Sequence, residues 1–196
     1  MSATSYSLHY PSEIVFGPET SGMLAEKLVR FKRILLVTGS HFAKSPEFEK
    51  LRNTLNEYEV RVETGIHAEP PLADVDRVTA SGRDFQAEAV VAIGGGSVID
   101  SSKAIAIGAA NNGEWRRFYV GKEVKVRPVI PAALPVGVVL TIAAAGSEGS
   151  TNSIINLEPG NLKRGAGGDI LRPKFAILNP ELTMTQIGRA SCRERV

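Results

Sequence analysis

Hydrophobic positions along this chain fall into short unbroken runs separated by sets at helical spacing. The runs at 34–38 and 89–93 are apolar almost throughout, a pattern typical of strands that are buried on both faces of a sheet. Apolar residues within 19–31, 47–56 and 75–85 recur instead every three or four positions. The resulting β-α-β-α-β-α order up to residue 111 predicts an α/β fold, a Rossmann-like parallel sheet with helices on both faces.

The remainder of the chain predicts a further helix, more strands and a small β-hairpin. Pro131 and Pro135 interrupt an apolar stretch, which we therefore expect to be an extended segment that is short or at an edge. The predicted elements are a helix at 97–110 rich in Ala and Ile, the extended segment at 129–135, an apolar strand at 138–145, and a hairpin whose strands, 150–157 and 174–178, flank a polar loop at 158–164.

A glycine-rich turn joins the run at 89–93 to the helix that follows it. Gly94, Gly95 and Gly96 carry no Cβ, so this backbone can take unusual conformations and can be approached closely. Ser97 is predicted to cap the helix, and Asp100, three residues later, completes a capping box with Lys103 as its possible ion partner. The free N–H groups of such a helix end bind phosphate groups well.

The turn does not match the Gly-x-Gly-x-x-Gly fingerprint of dinucleotide-binding proteins, because Ile99 stands in place of the third glycine. A tight turn with a purely structural role is therefore the alternative interpretation of the turn alone.

Composition excludes several classes of function. The chain of 196 residues has 23 basic and 21 acidic residues, a balance that argues against a nucleic acid as partner. No apolar segment is long enough to cross a bilayer, and we expect no membrane partner. The polar start of the chain lacks a signal-peptide core, and its one cysteine, Cys192, cannot form an internal disulfide, so we predict a cytoplasmic protein.

Three segments in order, 94–103, 140–148 and 171–183, make the chain resemble the iron-containing alcohol dehydrogenases, and in particular their NADPH-dependent aldehyde reductase and butanol dehydrogenase branch. The resemblance runs from about residue 6 to residue 185. It implies a dehydroquinate synthase-like N-terminal domain that binds NAD or NADP. In full-length members, a helical C-terminal domain holds a divalent metal, iron or zinc, that polarises the oxygen of an alcohol or aldehyde substrate.

The resemblance also implies a cofactor site. The glycine turn would hold the pyrophosphate, Thr141 would lie on the adenine side, Lys163 near the nicotinamide ribose and Leu178 against the adenosine half. Thr141 could instead only fill a strand end, and Leu178 could be plain core. The implied cofactor-binding residues are Gly39, Ser40, Gly94, Gly95, Gly96, Ser97, Asp100, Thr141, Ile142, Ser147, Lys163 and Leu178.

Gly39 bears on the choice of cofactor. NAD-preferring relatives carry an aspartate at this position, which would repel a 2′-phosphate, whereas Gly39 and Ser40 leave room and a hydroxyl donor. We therefore predict a preference for NADP, with NAD possible.

Two of the chain's departures from the family pattern bear on its function. Residues 142–145 are Ile-Ala-Ala-Ala where relatives are rich in Thr and Gly, which removes hydroxyls expected to bond the cofactor. After residue 185 the sequence no longer resembles the family, so we expect a nucleotide-binding domain at 1–185, an unrelated tail at 186–196 and no helical metal domain. His9, His41 and His67 lack the spacing of metal ligands, and we expect neither a metal site nor a catalytic residue in this chain.

These observations predict the cofactor-binding half of a metal-dependent alcohol dehydrogenase or aldehyde reductase, inactive by itself and forming homo-oligomers. Two alternatives stay open. One is a stand-alone or degenerate nucleotide-binding module, and the other is a relative of maleylacetate reductase or glycerol dehydrogenase.

Overall fold

The computed structural model describes residues 11–66, 72–157 and 162–186, and contains a six-stranded parallel sheet together with a two-stranded antiparallel hairpin. The order of strands across the large sheet is β1-β8-β5-β4-β2-β3. These strands are β1 (Glu13–Phe16), β2 (Arg33–Thr38), β3 (Glu59–Glu63), β4 (Ala89–Gly94), β5 (Val136–Leu140) and β8 (Phe175–Leu178), and the hairpin consists of β6 (Asn152–Asn156) and β7 (Lys163–Gly167).

Helices cover both faces of the sheet, as the hydrophobic pattern predicts. α2 (Leu72–Asp84) and α3 (Gly96–Ala110) lie on one face, and α1 (Pro46–Asn53) lies on the other with a 3₁₀ helix at Thr20–Leu28. Alternate residues of each central strand pack on opposite faces of the sheet, because successive side chains of a strand point in opposite directions. Leu35 and Val37 of β2 thus join the core beneath α2 and α3, while Ile34 and Leu36 join the core beneath α1.

The predicted hairpin is wrong in one of its strands. Strand β6 pairs with β7, at residues predicted to lie partly in a loop, and β8 instead lies in the large sheet between β1 and β5. Burial explains the difference. Phe175, Ala176 and Ile177 are all buried, which suits a strand covered on both faces, whereas β7 is the polar, glycine-containing sequence Lys-Arg-Gly-Ala-Gly.

Other predicted elements differ from the structure in their bounds or in their type. The strand predicted at 138–145 ends at Leu140, and no strand is formed over 129–135, which leads instead into the central strand β5. The helix predicted between residues 19 and 31 is a 3₁₀ helix. Residues 187–196, nearly all of the predicted tail, lie outside the described residues. None of the helices in the described part of the chain has the length and apolar character needed to cross a membrane.

Candidate functional site

The candidate site lies at the carboxyl ends of β2 and β4, where the chain reverses its direction across the sheet and where open α/β sheets form a crevice. From β2 the chain proceeds outward to β3, then crosses back to β4 on the other side of β2 and continues to β5. Open α/β sheets bind ligands at such reversal points. The two strand ends are fixed together, since Thr38 is in register with Ile93 and its Oγ1 donates to the Ile93 carbonyl at 2.7 Å.

The glycine turn after β4 is packed against the chain itself. None of its glycines has a φ in the left-handed region, so the turn does not require their conformational freedom. At Gly94 and Gly95 it requires the lack of a side chain. A Cβ on Gly94 would lie 2.7 Å from the Cβ of Val98, and a Cβ on Gly95 would overlap Cγ2 of Ile142. At Gly96 the nearest atom, Ser147 Oγ, would be 3.5 Å away, so space remains there.

The N-terminus of α3 opens directly into this crevice. The helix begins at Gly96, and Gly95, in extended conformation at φ −91° and ψ −169°, occupies the N-cap position without a side chain to cap it. Among the described residues, no acceptor receives the backbone N–H of Gly96, Ser97 or Val98. Their donors and the positive end of the helix dipole are therefore available to an anion.

The predicted capping box is wrong. Because the helix starts before Ser97, the exposed side chain of Ser97 lies within the first turn, and Asp100 is too far along the helix to reach the cap. The carboxylate of Asp100 accepts instead from the Ile154 N–H of β6 at 3.1 Å. Burial raises the pKa of Asp100, while Lys103, the Ile154 N–H and the Ser147 hydroxyl act in the opposite direction.

The loop after β5 forms the next wall of the crevice. Gly94 is in register with Leu140, and the Thr141 N–H donates to the Gly94 carbonyl at 3.2 Å, which seats the end of β5 beside the glycine turn. Ile142 then covers Gly95, and the buried Ser147 lies beside Gly96. Thr141, Ile142 and Ser147 therefore meet at the turn, and their role in binding a cofactor stays a prediction.

Lys103 has a role that the sequence analysis missed. Its side chain is completely buried, and its Nζ donates to the carbonyls of Ser147, Ser150 and Asn152 at 2.9, 2.8 and 2.8 Å. No direct ion pair joins it to Asp100 in the described structure. Burial lowers the pKa of Lys103 to about 8, although the carboxylates of Asp100 and Glu148 oppose this shift. A lysine directly before the apolar run 104–107 of this helix was the signal that could have indicated this role.

The remaining predicted residues lie in two places, at the carboxyl ends of the sheet strands and on the hairpin. Gly39 and Ser40 follow β2, and a Cβ on Gly39 would be 3.2 Å from the Ile66 carbonyl oxygen. Leu178 ends β8, one strand beyond β5, and Lys163 lies on the hairpin opposite Asn156. The participation of these residues in one cofactor site stays a prediction.

The residues that could hold a metal do not come together. Across the described ranges, no group of three or more His, Cys, Asp and Glu side chains is arranged around a possible ion. His41 is exposed beside a short 3₁₀ helix, and His9 and His67 lie outside the described residues. The described part of the chain thus does not fit a metal, and we assign no metal chemistry to it.

Fold and site together define a doubly wound α/β domain, a class that binds ligands at the carboxyl ends of its strands. Comparison with known proteins then gives the family. A family model described as iron-containing alcohol dehydrogenase matches residues 11–180, and the chain belongs to that family.

Relatives with described functions and structures support this assignment. The probable NADH-dependent butanol dehydrogenase 2 of Bacillus subtilis (strain 168) is 34% identical over 186 residues, which cover 92% of this chain and 46% of the relative. The NADPH-dependent aldehyde reductase YqhD of Escherichia coli (strain K12) is 29% identical, with coverages of 92% and 46%. The chain thus spans about half the length of the curated relatives it matches.

Solved structures give the same result. The NADH-dependent butanol dehydrogenase A of Thermotoga maritima superimposes with a TM-score of 0.82 at 31% identity, over 92% of this chain and 46% of that one. The sulfoacetaldehyde reductase of Bifidobacterium kashiwanohense, solved in complex with NAD⁺, gives a TM-score of 0.79 at 27% identity, over 92% and 48%.

Proposed function

We propose that this chain binds the diphosphate of a nicotinamide nucleotide at the N-terminus of α3 and serves as the cofactor-binding half of an alcohol dehydrogenase or aldehyde reductase. The observation that carries the proposal is the set of bare N–H groups at Gly96, Ser97 and Val98, placed where the sheet reverses its strand order. Two negative phosphates suit this end of the helix because its dipole and its unpaired donors act together.

The adenosine end of the nucleotide is assigned to the loop after β2. Gly39 and Ser40 add no negative charge at the end of this strand, and Lys44 follows them within the same turn. A 2′-phosphate on the ribose would therefore meet no carboxylate from residues 39 to 45. This supports a preference for NADP over NAD, and relatives named for each of the two cofactors occur in the family.

The nicotinamide end is assigned to the loop after β5 and to the hairpin. Ile142 and Ser147 bound the glycine turn on this side, and Asp100 ties α3 to the hairpin that carries Lys163. The packing of Ile142 over Gly95 replaces the hydroxyl groups expected there with a methyl surface. The cofactor would consequently receive few hydrogen bonds from residues 142–145.

Hydride transfer is proposed for the complete enzyme, between the nicotinamide ring and a small alcohol or aldehyde, substrates of the kind named for the relatives. Within this scheme residues 1–185 bind and orient the nucleotide. A divalent metal, held by ligands that the described residues lack, would polarise the substrate oxygen. We propose no catalytic side chain within this chain and expect it to be inactive alone. We also propose a cytoplasmic location, because the single cysteine cannot form an internal disulfide.

Isothermal titration tests the proposal directly. NADPH should give saturable heat with one site per chain, whereas adenosine, which lacks phosphate, should give none at the same concentrations. Absence of saturable NADPH binding by a folded, monodisperse chain would contradict the proposal. Equal binding of adenosine and NADPH would also contradict it, because the helix end would then contribute nothing.

Homo-oligomer formation is a further part of the proposal. Strand β1 lies at an edge of the sheet, and two of its apolar side chains, Ile14 and Phe16, are exposed. An edge strand with apolar side chains tends to associate with other chains. Light scattering should therefore give a mass above that of one chain, and a monomer at micromolar concentration would contradict this part of the proposal.

A further inference from the structure

A buried cation lies behind the loop that follows β5. The side chain of Lys103 is 0% exposed, and its ammonium group is held by three backbone carbonyls at 2.8–2.9 Å. Burial of a charged group is unfavourable unless its hydrogen bonds are satisfied, and an ammonium has three donors to satisfy. Lys103 uses all three on this loop and on the start of β6.

Two of the three acceptors lie in backbone that belongs to no helix or strand. Ser147 and Ser150 lie in the irregular segment between β5 and β6, and Asn152 is the first residue of β6. Buried carbonyls of such a segment depend on donors that helices and strands do not supply, although the Ser147 carbonyl also accepts from the Ser150 N–H at 3.3 Å. One side chain from the second turn of α3 supplies donors to three of them, and it thereby fixes the path of the chain from residue 147 to residue 152.

This path determines two features of the crevice. It places the Ser147 hydroxyl 3.5 Å from where a Cβ of Gly96 would lie, directly beside the open amides. It also delivers the chain into the hairpin, where Ile154 donates to Asp100 and Ser153 Oγ donates to the Asp100 carbonyl at 2.7 Å. The segment anchored by Lys103 is thus continuous with the wall that the proposed function assigns to the nicotinamide end.

We propose that Lys103 is a positioning residue for nucleotide binding. Its hydrogen bonds to the carbonyls of Ser147, Ser150 and Asn152 keep the loop after β5 and the hairpin in place against α3. The binding surface for the nicotinamide half of the nucleotide is therefore already formed before the nucleotide binds. This inference rests on the proposed function for its ligand, but the anchoring itself can be measured without any nucleotide.

The first experiment uses hydrogen exchange on the full chain without ligand. Replacing Lys103 with methionine keeps the length and the apolar stem and removes the three donors. We expect amides of residues 150–156 and 163–167 to exchange at least about tenfold faster, while amides of β2 and β4 change by less than about twofold. Uniform acceleration over the whole chain, or none in the hairpin, would overturn the anchoring role.

The second experiment compares two ligands by isothermal titration. NADPH spans both halves of the site, whereas adenosine 2′,5′-bisphosphate carries only the adenosine half. K103M should weaken NADPH binding by about tenfold or more and adenosine 2′,5′-bisphosphate binding by less than about threefold. Equal losses for both ligands, or no loss for NADPH in a folded variant, would overturn the positioning role.

Controls separate this proposal from general destabilisation and from failure of the proposed function. S102A is a matched variant, because Ser102 is also buried on α3 and its hydroxyl makes no hydrogen bond in the described structure. It should leave both ratios unchanged. K103Q keeps two donors and should give an intermediate effect, and it replaces K103M in both measurements if K103M does not fold. If the wild type binds neither ligand while K103M still loosens the hairpin, the proposed function fails and the anchor stands.

Discussion

The N-termini of α1 and α3 differ in whether the chain itself satisfies the free backbone N–H groups of the first helical turn. At α1, Ser45 occupies the N-cap, its Oγ accepts from the Phe48 N–H at 3.1 Å, and Pro46 removes one of the free donors. Glu47 and Glu49 then place negative charge in the first turn. At α3 a glycine occupies the same position, no side chain caps the helix, and no acidic residue lies in the first turn.

The difference indicates which helix end of this chain is available to bind a ligand. The chain itself satisfies the positive end of α1 on one face of the sheet. On the other face, the positive end of α3 is left without a cap at the point where the strand order reverses. Since capping contributes about 1 kcal/mol to stability, its omission at α3 favours an interpretation as a site for an external anion.

The most severe test of this comparison adds a negative charge to the bare helix end. In S97D a carboxylate would lie in the first turn of α3, where it should stabilise the helix through its dipole and repel a diphosphate. We expect NADPH affinity to fall by about 100-fold or more, while the melting temperature stays the same or rises slightly. Isothermal titration and thermal unfolding measure the two effects.

The matched control places the same charge at the other helix. S45D keeps a capping oxygen at α1 and should leave NADPH affinity within about twofold of wild type. A similar loss in S45D and S97D would mean that the net charge of the chain controls binding. The bare end of α3 would then have no special role.

The bare helix end could be located from sequence only because its causes are local. An apolar run, three glycines and a helical segment are contiguous in the chain, and so the strand, the turn and the helix follow in order. The first residue of α3 was less accessible. Ser97 has the residue type and position of a capping box, but the helix begins at Gly96. This start depends on how closely the side chain of Val98 packs against Gly94.

Features that depend on distant partners were missed for the same reason. The pairing of β6 with β7 places Lys-Arg-Gly-Ala-Gly in a strand because its partner and Val120 supply the hydrogen bonds, whereas its own residues have low strand propensity. Lys103 contacts carbonyls 44 to 49 residues later in the chain. No spacing within α3 could reveal which carbonyls this lysine would contact.

A second prediction concerns the adenosine end of the same crevice. G39D introduces a carboxylate after β2, and its Cβ would require the Ile66 carbonyl, at 3.2 Å, to move by only a few tenths of an ångström. We expect NADPH affinity to fall by about tenfold and NADH affinity to stay equal or to increase, because only NADPH carries a 2′-phosphate. Titration of both cofactors measures the ratio. A parallel loss of both would instead place the adenosine ribose away from Gly39.

A third prediction follows from the buried cation on α3, for which α1 has no counterpart. Burial holds the pKa of Lys103 at about 8, below its ordinary value of 10.5, and Asp100, Glu148 and Arg172 are the charged groups that act on it. Between these two values the unfolded chain binds the proton more firmly than the folded chain, so this group makes folding more favourable as the pH rises. The free energy of unfolding of wild type relative to K103M should therefore increase by about 1 kcal/mol from pH 8 to pH 9.

Urea unfolding at both pH values tests this expectation, and S102A provides the control, because it should follow the wild type at each pH. A flat difference between wild type and K103M would mean that the three carbonyls retain the proton throughout this range. The hydrogen bonds from the ammonium group to these carbonyls would then outweigh the cost of burying it.

The smallest effect expected is the one that examines the two caps themselves. S45A removes the oxygen that accepts from the Phe48 N–H, and it should lower the free energy of unfolding by about 1 kcal/mol. S97A removes a hydroxyl that caps nothing, and it should change this free energy by less than about 0.5 kcal/mol. Urea unfolding of the two variants side by side gives the comparison. Equal losses would show that Ser97 caps α3 in solution, and the amides assigned to the diphosphate would then be partly occupied by the chain's own side chain.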